Sequence, residues 1–227
     1  MASTPSTLTE FHAELAIDAS VLINVLGTGE VVAVIEALAR PLVMASAAYR
    51  EVRRDPFTGA DASTAIDELE RRGLLLRCDL DAEGTQHMVS LISAPGADAL
   101  DDGEAATIAL GARRGCCVVI DEARGRRIAN DIPISAGILG TIDIISCASV
   151  RQALGETRFR SAILSAAKCA RMRFPTECGA WVEELLGEPA ARELPGMRAY
   201  YRAKFVVGRG ASELPQSETD GTATKSH

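Results

Sequence analysis

With 227 residues, 47% of them hydrophobic and 24% charged, the chain has the composition of an ordinary soluble globular protein of one domain, or of one domain with an extension. Aromatic residues are only 4%, so the core must be aliphatic and base-stacking platforms of the kind used by single-strand binders are scarce. No apolar run approaches the roughly eighteen residues a membrane span needs, and the opening MASTPSTLTEFH lacks the basic start and apolar centre of a signal peptide, so a cytoplasmic protein is expected.

The net charge of −7 is unevenly distributed. Residues 1–150 hold 12 Lys and Arg against 22 Asp and Glu, a balance of −10; residues 151–209 hold 11 against 6, a balance of +5; the last eighteen hold 1 against 3, a balance of −2. An acidic body therefore carries a basic extension, a polarity that suits metal binding in one part and phosphate contact in the other. The six cysteines (Cys78, Cys116, Cys117, Cys147, Cys169 and Cys178) form no CxxC pair, and buried free thiols are expected rather than a zinc site or disulfides.

In chain order, residues 1–9 are rich in Ser, Thr and Pro and read as a frayed start. The stretch LAIDASVLINV then reads as a buried strand over 15–19 feeding a helix. A carboxylate inside such a run is costly unless a cation or hydrogen bonds compensate it, which places Asp18 at the strand's exposed carboxyl end, where open α/β sheets bind ligands. A plain helix cap is the alternative role for Asp18. Gly27-Thr28-Gly29 is no dinucleotide fingerprint, because the third glycine position falls on Val32. A helix is expected over 30–39, a short strand over 42–44, and a helix over 46–55 with Ser46 as its cap and Glu51 near its end. Residues 61–72 and 83–92 read as helices flanking a strand at 74–78, and His87 as a structural histidine.

LDDGEAATIALGARRGCCVVIDE carries the second informative pattern. Asp101 or Asp102 caps a helix with a narrow face of small residues, Glu104 lies in its first turn and Gly115 ends it. A buried strand over 116–120 follows, with Asp121 and Glu122 at its carboxyl end. A helix over 123–131 brings Arg124, Arg126 and Arg127. A last strand is expected at 138–139, then a helix from Gly140 to Cys147 in which Asp143 favours the helix dipole. Helices over 161–173 and 177–186 form the extension, docked through Trp181 and Leu185-Leu186, and 208–227 reads as a disordered tail.

Asp18, Glu51, Glu104 and Asp121 thus fall at strand ends or on helices adjoining one sheet edge. Four carboxylates without a His or Cys partner form a hard oxygen site, which selects Mg²⁺ or Mn²⁺ and suits phosphoryl chemistry.

The ordered set IDASVLINV, YREV, DDGEAATIALGARRG, VVIDEARGRRIA and GILGTIDII resembles the PIN domains, in the branch whose third motif reads GEA. The resemblance covers roughly residues 15–150 and implies a three-layer α/β/α sandwich with a short parallel sheet. It implies a PIN-like nuclease domain over 1–150, and the helical basic extension read over 151–207 departs from the family's pattern. The activity implied is that of a metal-dependent ribonuclease, often the toxin of a toxin–antitoxin pair. Carried over by residue, Asp18, Glu51, Glu104 and Asp121 form the catalytic quartet. Asp18, Glu104 and Asp121 hold the Mg²⁺ or Mn²⁺, and Ser20, Asp102 and Glu122 are auxiliary. Arg124, Arg126 and Arg127 are the candidate RNA contacts. RNA is the expected partner, with room for a cognate antitoxin protein and a homodimer, and with no membrane partner. A PIN-like scaffold that binds RNA or protein without cutting it is the alternative. A haloacid-type phosphatase would need Asp where Ser20 stands, and a response-regulator receiver would need a late lysine that is missing.

Overall fold

A computed structural model describes residues 5–9 and 13–210. Five parallel strands form one sheet in the order β3-β2-β1-β4-β5: β1 (Leu15–Ile17), β2 (Leu42–Ala45), β3 (Leu75–Cys78), β4 (Cys117–Val119) and β5 (Ile138–Leu139). Between β1 and β2 come α1 (Ala19–Leu26) and α2 (Val31–Leu38); between β2 and β3 come α3 (Ser46–Tyr49) and α4 (Ser63–Arg71). Helices α5 (Ala82–Ile92) and α6 (Asp102–Arg114) lead to β4, α7 (Ala123–Asn130) leads to β5, and α8 (Thr141–Ile145) follows it.

Strands β1, β2 and β4 are apolar on both faces because both faces are covered, while β3, at the sheet edge, exposes Leu76 and Arg77. Leu15, Ile17, Leu42, Met44, Cys117 and Val119 enter the larger core, with α1, α2, α4 and α8. Their neighbours Ala16, Val43, Ala45, Val118 and Ile120 enter a smaller core with α5, α6 and α7. The period-two alternation of a strand thus sorts the side chains into two layers, and the three-layer sandwich stands as expected.

Helix α6 lies close on that second face. A Cβ at Gly111 would collide with Cγ2 of Val118, so only glycine permits the approach. Its ends are well made: Asp101 accepts the Glu104 N–H at 2.8 Å, and Gly115 closes the helix in the left-handed region at φ 63°.

The chain after residue 150 differs most from expectation. A single helical run, α9 (Ala148–Cys169), begins well before 161 and breaks only at Gly155, whose φ of 69° is open to glycine. The expected boundary at 150 falls inside it. Val150, Leu154, Phe159, Ile163 and Ala166 join the larger core, and that burial outweighs the charged look of RQALGETRFRS. Then come α10 (Gly179–Leu186), and α11 (Glu188–Glu193) and α12 (Arg198–Gly210), which the sequence pattern did not announce. Trp181 docks as expected, edge-on to Phe159 with ring centroids 6.3 Å apart.

Smaller corrections have local causes. The helix expected over 46–55 stops at Tyr49, where Glu51 and Val52 donate turn bonds to the Ala48 and Tyr49 carbonyls, and further on Pro56 disfavours helix at Asp55, whose side chain accepts the N–H groups of Phe57 and Thr58. Glu51 therefore sits in the turn after α3. Ser6 and Thr7, expected to fray, are hydrogen-bonded to Asp143. Residues 1–4, and 211–227 of the expected tail, lie outside the described residues. All six cysteines are free, but Cys169 is exposed and Cys78 only half-buried. No single helix among the described residues is long and apolar enough to cross a membrane.

Candidate active site at the strand switch

The strand order reverses direction between β1 and β4, and β1 gives way to Asp18 where β4 gives way to Ile120-Asp121. Open α/β sheets form their ligand crevice at such a point. Asp18 is not exposed as expected but only 6% accessible, because α1 begins at the next residue. It is also the N-cap of α1: Oδ2 accepts the Ser20 N–H at 3.3 Å and the Ser20 hydroxyl at 2.7 Å. The two roles weighed for Asp18, cap and site acid, are thus compatible. Burial pushes its pKa up, against the downward pull of the bonds from Ser20 and the Ala19 N–H.

Glu104 rides in the first turn of α6 and is 3% accessible. Its Oε1 is buried without a hydrogen-bond partner, and Oε2 has only the Arg124 guanidinium, 3.5 Å away. Burial, then the charges of Asp101, Glu122 and Asp18, raise its pKa to about 7. Glu51 arrives from the other side and fills the space where Gly103 has no side chain; a Cβ there would run into its carboxylate. Burial, then Asp101, Asp18 and Asp102, raise the Glu51 pKa too, while the Gly103 N–H lowers it. Asp18, Glu51 and Glu104 therefore share one electrostatic neighbourhood with Asp101, Asp102 and Glu122.

Asp121 is held differently. Its Oδ1 accepts the Thr141 N–H at 2.7 Å, and its Oδ2 accepts the Thr141 hydroxyl at 2.6 Å and the Asn24 amide at 2.8 Å. Asn24 and Thr141 went unnoticed in the sequence, although a buried amide in the apolar helix ASVLINVL requires partners and so marks the spot. Gly140 keeps this corner open, since a Cβ there would stand 2.9 Å from Nη1 of Arg126 and 3.1 Å from Oδ1 of Asp121.

The arginines separate by partner. Arg124 is shared between Glu104 and Glu122, at 3.5 and 3.8 Å. Arg126 donates to the Ile120 carbonyl at 3.3 Å, and Arg127 pairs with Asp98 on the surface at 2.5 Å. Gly125 is buried, and its missing Cβ would stand 3.1 Å from Oε1 of Glu104, which lets α7 close over the acid.

A family model described as a PIN domain matches residues 14–187, well over half of the chain. The chain belongs to the PIN-domain family. Among curated proteins and solved structures, none matches it. PIN domains are generally nucleases and usually use divalent metal ions. In this PIN domain the matched stretch runs on through α9 and α10. Among the described residues, no three Asp, Glu, His or Cys side chains stand close enough together to share one ion. What fits a hard cation is the donor chemistry: an all-oxygen set, carboxylates that raise one another's proton affinity, and a buried oxygen on Glu104 without a partner.

Proposed function

We propose that the protein is a metal-dependent endoribonuclease that hydrolyses RNA phosphodiester bonds, and that Asp18, Glu104 and Asp121 are the acids that would draw together around Mg²⁺ or Mn²⁺. The unpartnered, buried Oε1 of Glu104 carries this reading. A buried carboxylate oxygen without a donor is costly, and a cation is the partner that would offset it. When bound, the ion supplies Lewis acidity and lowers the pKa of water.

The chain's own groups supply the rest. Glu51, whose affinity for a proton is raised by burial and then by Asp101, Asp18 and Asp102, takes the proton of the attacking water. Ser20 holds the Asp18 carboxylate in one orientation, and Asn24 and Thr141 do the same for Asp121. Arg124 and Arg126 border these acids and hold phosphate oxygens, which the planar guanidinium can grip by two N–H groups at once. Asp102 and Glu122 tune the local field. Membership of the PIN family adds the proposal that the enzyme is the toxin of a pair, with a cognate antitoxin protein covering the site.

The spacing of the acids favours one second reading, a PIN scaffold that binds RNA without cutting it. Incubating the purified protein with RNA and Mn²⁺ separates the two, with Asp18→Asn as control. Cleavage by the wild type alone supports the nuclease. Cleavage that survives EDTA or Asp18→Asn overturns the metal site, and RNA binding without cleavage favours the scaffold.

A further inference from the structure

Asp143 lies in the first turn of α8, is 7% accessible, and hydrogen-bonds Gly140 beside the candidate site on one side and the N-terminal segment on the other. Its Oδ2 accepts the Gly140 N–H at 2.8 Å, and the Asp143 N–H returns a bond to the Gly140 carbonyl at 3.0 Å. Its Oδ1 accepts the N–H and hydroxyl of Thr7, at 3.0 and 2.7 Å, and its backbone carbonyl accepts the Ser6 hydroxyl at 2.5 Å. Ser6 in turn accepts the Leu8 N–H at 3.3 Å, and Leu8 packs against the larger core. These N-terminal residues lie outside the stretch matched by the family model.

Thr141, which grips Asp121 by both its N–H and its hydroxyl, is the next residue after Gly140. A threonine whose backbone pivots freely would hold that carboxylate in a spread of orientations. The backbone at 140–141 is fixed by Asp143, and Asp143 is fixed by a segment more than 130 residues away in sequence. We infer that Asp143 is a positioning residue for Asp121 and that Ser6-Thr7 is the strap that holds Asp143 in place. The inference rests on the nuclease reading only for its catalytic consequence, because the strap itself is a matter of backbone order.

Three substitutions test it. Thr7→Val keeps the side-chain shape and removes the hydroxyl donor, Thr7→Ser returns the donor, and Asp143→Ala removes the acceptor. Amide hydrogen exchange at Gly140 and Thr141 is measured against Val118 in the sheet, together with kcat and KM for RNA cleavage in Mn²⁺. Thr7→Val is expected to speed exchange at Gly140 and Thr141 about tenfold, the scale of one hydrogen bond to a charged acceptor, while Val118 stays protected. It should lower kcat by a similar factor with KM unchanged, and Thr7→Ser should restore both. Asp143→Ala should move the same two amides further. Exchange at Gly140 and Thr141 that stays at the wild-type rate in Thr7→Val, or acceleration spread equally to Val118, overturns the strap. Faster exchange with unaltered kcat overturns the positioning role. A wild-type protein without cleavage defeats the nuclease reading, and the exchange rates still decide the strap.

Discussion

Glu104 and Arg124 are neighbours that do not complete each other: Nη2 of the arginine stands 3.5 Å from Oε2 of the acid, while Oε1 of the acid and Nε of the arginine are both buried without partners. Such a contact recovers little of what burying the two groups costs, since the Coulombic gain depends on close, hydrogen-bonded geometry. The acid responds with a raised proton affinity, its pKa pushed up to about 7 chiefly by burial.

Glu104→Gln should therefore separate stability from activity. The amide fills the same volume without the charge, so urea denaturation in EDTA at pH 8 should show a variant at least as stable as the wild type. RNA cleavage should fall by roughly 10²-fold or more, as expected when an electrostatic group of an active site is removed. A variant that is both less stable and fully active would place Glu104 in the scaffold instead.

The pH dependence follows from the same group. Its folded pKa, about 7, lies above its ordinary value of 4.5, so the native state binds the proton more tightly than the unfolded chain does. That contribution is fully present below about pH 4.5 and is lost as pH rises through 7. Asp18 and Glu51, both shifted upward, act in the same direction. In metal-free buffer the contribution is on the order of 3 kcal/mol across that window, and Glu104→Gln should flatten it. Unfolding midpoints taken from pH 4 to 8 for the two proteins check this.

Gly103→Ala should favour α6, where alanine is better than glycine by up to about 1 kcal/mol, yet it puts a methyl group where the Glu51 carboxylate now lies. Thermal melts should show a fold held or strengthened, with catalysis impaired and the affinity for RNA unchanged. Equal loss of stability and activity would mean that Glu51 cannot be displaced without disturbing α6.

Millimolar Mn²⁺ should raise the melting temperature of the wild type, because the ion binds the native state and relieves the repulsion among its carboxylates. Asp18→Asn should melt normally without metal, since asparagine caps a helix as well as aspartate does, and should respond far less to Mn²⁺. Zn²⁺ should serve less well for a set of ligands without His or Cys.

The three arginines of α7 should divide in RNA binding. Neutralising Arg124 and Arg126 together should reduce the salt slope of affinity by about one unit each, through loss of phosphate contacts. Arg127→Ala, which breaks an exposed pair with Asp98, should change it less. Affinity measured from low to moderate salt gives the slopes, and an unchanged slope in the double variant would move the RNA track elsewhere.

The sheet was legible in the sequence because both faces of its central strands are buried, which leaves unbroken apolar runs at 15–17, 42–45 and 117–119, bounded by Glu14 and Asp18, by Pro41 and Ser46, and by Gly115 and Asp121. The sequence also pointed to Asp18, Glu51 and Glu104, which share one field in the structure. What stayed hidden depends on long-range contact. Nothing local in Ser6 or Thr7 points to a residue 136 positions away from Thr7, and Asp143 reads as an ordinary first-turn acid until its partners are known. Asn24 and Thr141 are short polar side chains whose meaning comes from the carboxylate between them. Likewise α9 looks charged in one dimension and is apolar on the side that meets α1, α2, α8 and α10.

The contact of Gly111 with Val118 reaches further than its own surroundings. Gly111 lies seven residues, or roughly 10 Å along the axis, from Glu104 on the same rigid helix. The depth at which α6 seats on the sheet is set at Gly111, and that depth fixes how far the Glu104 carboxylate projects into the crevice beside Asp18. A larger side chain at 111 would act as a shim, tilting the helix away from β4 and withdrawing the acid without touching any charged group. The tolerance of the site is thus set in part by a purely steric stop two turns down the helix.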